Sequence, residues 1–100
     1  MIRGSTPTHY FTSPCDDKNI KKVNVLYGQD DVLLFKKKST DCTITGNTIT
    51  TKLTPEESLK FDHSKPGQVQ IIIEQVSGER LISLINTFGV DIFLGDGVIE

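Results

Sequence analysis

Residues 45 to 57 read T-G-N-T-I-T-T-K-L-T-P-E-E, and this stretch constrains the fold more tightly than any other. Gly46-Asn47 lies between two runs rich in threonine and isoleucine. Glycine at the first turn position reaches positive φ at no steric cost, and Gly-Asn fits the type II′ turn whose twist matches a hairpin. Strands are therefore predicted over 42–45 and 48–53. In the second, Ile49, Thr51 and Leu53 alternate with Thr48, Thr50 and Lys52, and such β-branched residues favour a pleated strand over a helix. Thr54-Pro55-Glu56-Glu57 then switches from strand to helix start. Thr54 can cap the N–H of Glu57, the Glu57 carboxylate can reach back to Thr54, and Pro55 sits where a missing N–H costs nothing. Pro66-Gly67 breaks the chain soon after, so the helix is a single short turn reaching Lys60 or Phe61, with Leu59 and Phe61 closing one end of the core.

The remaining chain also reads as strands. T-H-Y-F-T (8–12) is the first, stopped by Pro14. I-K-K-V-N-V-L-Y (20–27) puts Val23, Val25 and Tyr27 on one face, and Gly28-Gln29-Asp30-Asp31 turns it into V-L-L-F-K-K-K (32–38). Strict alternation there turns Val32 and Leu34 to the core and Leu33 and Phe35 outward. Q-V-Q-I-I-I-E-Q-V (68–76) is the most apolar strand, with Val69, Ile71 and Ile73 on one face. Ser77-Gly78 leads into a strand over 79–88, Gly89 marks a bulge or break, and 90–94 continues the sheet or adds an edge, with Phe93 opposing Val90, Ile92 and Leu94. About seven strands with one helical turn in a crossover predict an all-β, antiparallel β-sandwich in one domain over 1–100. An antibody-type domain is not expected, because Trp is absent and neither cysteine falls where an inter-sheet bridge would start.

Composition narrows the function classes. With 36% hydrophobic and 24% charged residues the chain suits a globular domain, and no apolar run approaches the roughly 20 residues of a membrane span. The first residues lack the pattern of a signal peptide, so the protein is expected to remain in the cytoplasm where it is made. A net charge of −2 does not point to nucleic acid. The charge is uneven: residues 1–52 hold eight Lys/Arg against five Asp/Glu, residues 53–100 three against eight. That asymmetry could align copies head to tail or simply belong to a solvated surface. Cys15 and Cys42 are not in a C-x-x-C pattern and are expected to stay reduced.

Chemistry-bearing groupings are sparse. His9 belongs to the alternation of the first strand. Asp62-His63-Ser64 holds triad residue types in direct succession, but adjacent side chains diverge and cannot line up nucleophile, base and orienter. No Cys/His cluster has zinc-ligand spacing, and Asp16-Asp17 and Asp30-Asp31 do not have the spacing of a calcium loop. Gly95-Asp96-Gly97 lacks the strand–turn–helix context of a phosphate-binding loop. Lys36-Lys37-Lys38 has only two of its three residues on one face, and lysine guarding an edge strand explains it at least as well as nucleic acid does. A non-enzymatic protein with no cofactor and no metal is expected.

The order of T-G-N-T-I-T-T-K-L-T-P-E-E, then G-Q-V-Q-I-I-I-E, a Ser-Gly turn and L-I-S-L-I-N-T-F-G-V-D-I resembles the immunoglobulin-like N-terminal domain of phage baseplate upper proteins and similar small prophage proteins. The opening I-R-G-S-T-P-T-H-Y-F also looks like the start of such proteins. The likeness covers residues 45–94 well and the first half loosely, and its motifs are structural. It implies an immunoglobulin-like sandwich serving as a tail or baseplate piece and no catalytic residue to carry over. A virion location and partnership with other phage structural proteins or copies of itself would follow. Leu33, Phe35 and Phe93, expected to face outward, are the candidate interface. The alternative is a small ligand-binding module, for carbohydrate or adhesion, which would want exposed aromatic faces.

Overall fold

Alternation of β-branched with polar residues becomes eight strands in the computed structural model, whose described residues are 1–91. In chain order they are β1 (Thr8–Thr12), β2 (Ile20–Gln29), β3 (Val32–Lys38), β4 (Cys42–Thr45), β5 (Thr48–Lys52), β6 (Gly67–Gln75), β7 (Arg80–Ile82) and β8 (Asn86–Phe88), with helix α1 (Pro55–Ser58) between β5 and β6. The strands form two antiparallel sheets. The smaller has the order β1-β5-β4; the larger has the order β3-β2-β6, with β7 and β8 sharing the far edge of β6. The chain crosses between sheets after β1, after β3 and through α1, the last as the cap signal predicts.

One face of each sheet is buried against the other. Val23, Val25 and Tyr27 of β2 stand directly across from Ile73, Ile71 and Val69 of β6. Ile49, Thr51 and Leu53 cover them from the smaller sheet, and burying each large apolar side chain stabilises the fold by roughly 1.5–3 kcal/mol. Phe61 closes one end, its ring 6.2 Å from Tyr27 and 5.4 Å from Phe88. Edge-on ring packing of this kind adds to what area alone contributes.

The crossover is held by the residues that predict it. Thr54 Oγ1 accepts from the Glu57 N–H at 3.2 Å, and Glu57 Oε1 accepts from the Thr54 N–H at 2.8 Å. The helix ends at Ser58, earlier than Lys60, as the N–H groups of Lys60 and Phe61 turn to the carbonyls three residues back, and buried Ser58 is tied to the N-terminal residues. Its hydroxyl donates to the Ser5 carbonyl at 2.8 Å and accepts from the Gly4 N–H at 2.9 Å. Arg3 donates to the carbonyls of Phe61 and Leu59, and Ile2 pairs in parallel with Asp91. The terminal amine of Met1 donates to the Gly89 carbonyl at 2.7 Å. The first residues thus form a clasp over both α1 and residues 89–91.

Three expectations change. The β2–β3 loop is two residues, Asp30 and Asp31, both at positive φ, in place of a four-residue loop. The pairing then slips: Tyr27 stands opposite Phe35 but Gly28 opposite Leu33, which leaves Leu34 as an extra residue. A side chain on Gly28 would press its Cβ to 2.4 Å from the Val32 carbonyl oxygen, so only glycine fits this bulge. Beyond the slip the alternation is reversed, so Phe35 faces inward and stacks on Tyr27 at 5.0 Å; Leu33, before it, stays outward, and Val32, in register with Gln29 beside the loop, is exposed. Third, 79–88 divides into β7 and β8, making eight strands where about seven are predicted. Ser83 lies at the break, where its own hydroxyl accepts from the Ile71 N–H at 2.9 Å. Val90 is buried and Asp91 makes the bridge to Ile2; residues 92–94 and Phe93 lie outside the described residues.

Candidate functional site

Two places hold groups that could act: a polar cluster between the sheets and the outer face of the larger sheet. The cluster begins with β1, whose inward residues include His9. His9 Nδ1 lies 2.6 Å from the Tyr27 hydroxyl. Burial lowers the histidine pKa, aided by the charge on the chain's amino terminus, and burial raises the tyrosine well above its ordinary value. Both are held neutral. Cys42, at the start of β4, is likewise pushed up by burial, only partly opposed by the Thr51 hydroxyl beside it. Thr51 Oγ1 is buried and meets no partner in ordinary hydrogen-bond geometry among the described residues, so its contact with the thiol is a weak one. Cys15 and Cys42 are both free.

The cluster also holds an ion pair. Lys37 turns inward from β3 to meet the Glu57 carboxylate at 2.5 Å, with both side chains mostly buried. Burial alone would raise the Glu57 pKa, but hydrogen bonds from Lys37 and the Thr54 N–H outweigh it and hold the carboxyl below its usual value. Glu57 thereby fastens the crossover to the larger sheet. As a chemical assembly the cluster pairs the Lys37 ammonium with the Glu57 carboxylate and keeps His9, Tyr27 and Cys42 uncharged. In the Asp62-His63-Ser64 loop the serine hydroxyl donates to the Asp62 carboxylate at 2.8 Å rather than to the histidine. Among the described residues no group of three or more His, Cys, Asp or Glu could hold a metal ion, and no helix is long and apolar enough to cross a membrane.

The outer face of the larger sheet is different in kind. Leu33 is 57% exposed and Val32 63%. With Leu26 from β2 and Ile85 beside β8 they line a groove of about 270 Å³ floored by Gln68 and Gln70. Further along, Ile72 stands opposite Ile82, which is 58% exposed. Of the three candidate interface residues, Leu33 lies in this groove and Phe35 is on the opposite face, against the core. Phe93 lies outside the described residues. Lys36 and Lys38 point outward on the same face as Leu33, while Lys37 is buried.

The alternation of β2 and β6 could have revealed Leu26 and Ile72 as a shared outer band, because both lie out of phase with the buried set. The meeting of Lys37 with Glu57 had no local signal, since 20 residues and a change of sheet separate them. No family model matches the chain, and no curated protein or solved structure matches it.

Proposed function

We propose that the chain is a non-enzymatic structural module of a phage or prophage tail or baseplate, with an immunoglobulin-like sandwich, acting through protein contacts on the outer face of its larger sheet. The observation that carries the contact surface is the aliphatic groove of Leu26, Val32, Leu33 and Ile85, left uncovered among the described residues. Aliphatic side chains gathered on one face of a sheet stabilise nothing while they face water and contribute once a partner covers them. The tail or baseplate assignment is supported by the order of motifs in 45–94. Mass by light scattering and binding to the products of neighbouring genes test it, with Leu33→Ser and Ile85→Ser alongside. Loss of association in folded variants is expected; a strictly monomeric protein that binds no neighbour would overturn the contact reading.

One observation favours a second reading, a module for a neutral carbohydrate. Tyr10 is 72% exposed on the outer face of the smaller sheet, in register with Thr50, and Thr50 is in register with Thr43. A phenol ring flanked by hydroxyls suits stacking on a sugar. Glycan binding abolished by Tyr10→Ala would favour this reading over the first.

A further inference from the structure

The aliphatic groove shares its face with a strip of cations. Register places Lys36 beside Leu26 and Lys38 beside Asn24, and carries the row Lys22, Glu74, Arg80 across β2, β6 and β7. Four cations therefore share the face with the Glu74 carboxylate and, in the groove, that of Asp31, and none of the four makes an ion pair among the described residues. At the other end of the groove Asp31 is engaged with the Gln68 side chain. A partner covering this face must answer both the aliphatic surface and the positive charge.

Three occupants fit badly. A second copy presenting the same face would set lysine against lysine, which opposes isologous pairing. A nucleic acid would meet the lysines but find no stacking platform, since the exposed Tyr10 lies on the other sheet. A membrane surface would take protruding side chains such as Leu84 but would leave the recess lined by Leu26, Leu33 and Ile85 unfilled. We infer that the face takes an acidic, aliphatic polypeptide segment, its Leu- or Val-sized side chains in the groove and its carboxylates against Lys22, Lys36 and Lys38. This rests on the contact reading above and adds the charge and chemistry of the partner.

The probe is a fluorescent nine-residue peptide alternating Glu with Leu and Val, titrated into the whole protein beside a counterpart with Lys in place of every Glu, a short single-stranded DNA and phosphatidylserine vesicles. The acidic peptide alone binds, and its affinity drops roughly tenfold between 50 and 500 mM salt as screening grows. The double variant Lys36→Glu, Lys38→Glu and the single variant Leu33→Ser each weaken it at least about tenfold while the melting temperature holds, because all three side chains are solvent-facing. Binding of the basic peptide as tightly as the acidic one would overturn the inference. So would retention of affinity in the charge-reversed variant, or lysine-dependent binding of DNA or vesicles only. If the acidic peptide fails while Leu33→Ser still lowers the mass in light scattering, this inference falls and the contact reading survives.

Discussion

The two sheets present opposite kinds of surface to solvent. Outside the smaller sheet stand Thr8, Tyr10 and Thr12 of β1, Thr43 and Thr45 of β4, and Thr48, Thr50 and Lys52 of β5. Outside the larger sheet stand Leu26, Leu33, Ile72 and Ile82 among lysines. Threonine keeps β propensity while giving water a hydroxyl at each site, so the smaller sheet is complete as it is. The larger sheet has the same pleat and an equally buried inner face, yet puts aliphatic groups where threonine would serve. The contrast locates the part of the molecule whose composition folding alone does not account for.

The largest effect expected separates Leu33 from its near neighbour Phe35. Phe35→Ser removes a ring stacked on Tyr27 and should cost about 3 kcal/mol, read as a fall in the denaturant midpoint. A neutral result would return Phe35 to the outer face and undo the contrast. Lys37→Met comes next: it strands the Glu57 carboxylate and should cost about 2 kcal/mol at neutral pH, the residual exposure of Glu57 keeping it below the cost of a fully buried pair. Glu57 has a depressed pKa in the fold, so its contribution is present above the unfolded value of 4.5 and disappears as pH falls through the folded value. Melting from pH 7 down to pH 3 should therefore show the gap between wild type and variant closing in acid; a constant gap would mean that Lys37 acts by packing alone.

Thr54→Ala probes the crossover joining the two sheets and should cost about 1 kcal/mol in the same melts, with a change of only a few tenths meaning that the cap contributes nothing. The smallest effects bear on the comparison most directly. Leu33→Ser and Thr50→Ser, one on each outer face, should each move stability by less than about 0.5 kcal/mol. Only the first should weaken association with a partner, read with the acidic peptide or a neighbouring gene product. If both or neither do, the two surfaces are not functionally distinct.

Local signals in the sequence carried most of the architecture. Gly46 at positive φ, the Thr54–Glu57 box and the alternation of Val69, Ile71 and Ile73 each depend on residues within a turn or two of one another, and each appears in the fold. What could not be read locally depends on a partner strand. The direction of Phe35 is set by a bulge that exists because Gly28 lies against the Val32 carbonyl, and a strand read alone has no bulge. The division between β7 and β8 depends on the Ser83 hydroxyl reaching Ile71 across the sheet. For the outer face, alternation exposed Leu33 and the split of the lysine run, but not the groove, because Ile85 arrives from 52 residues beyond Leu33.

The clasp of the first residues has a consequence for the order in which the chain assembles. On the ribosome, the β4–β5 hairpin can close as soon as it emerges, but β1 must wait for β5, and Ile2 for Asp91. Loop-closure entropy grows only as the logarithm of length, each doubling adding about 0.6 kcal/mol, so the long wait costs little at equilibrium. Its cost is in time. At about 5–20 residues per second, several seconds pass between synthesis of Arg3 and of the carbonyl at Asp91 that its N–H will reach. Through that interval Gly4 and Ser5 can already hold Ser58, but the backbone of residues 1–3 waits for residues 89–91, which it meets only at the end.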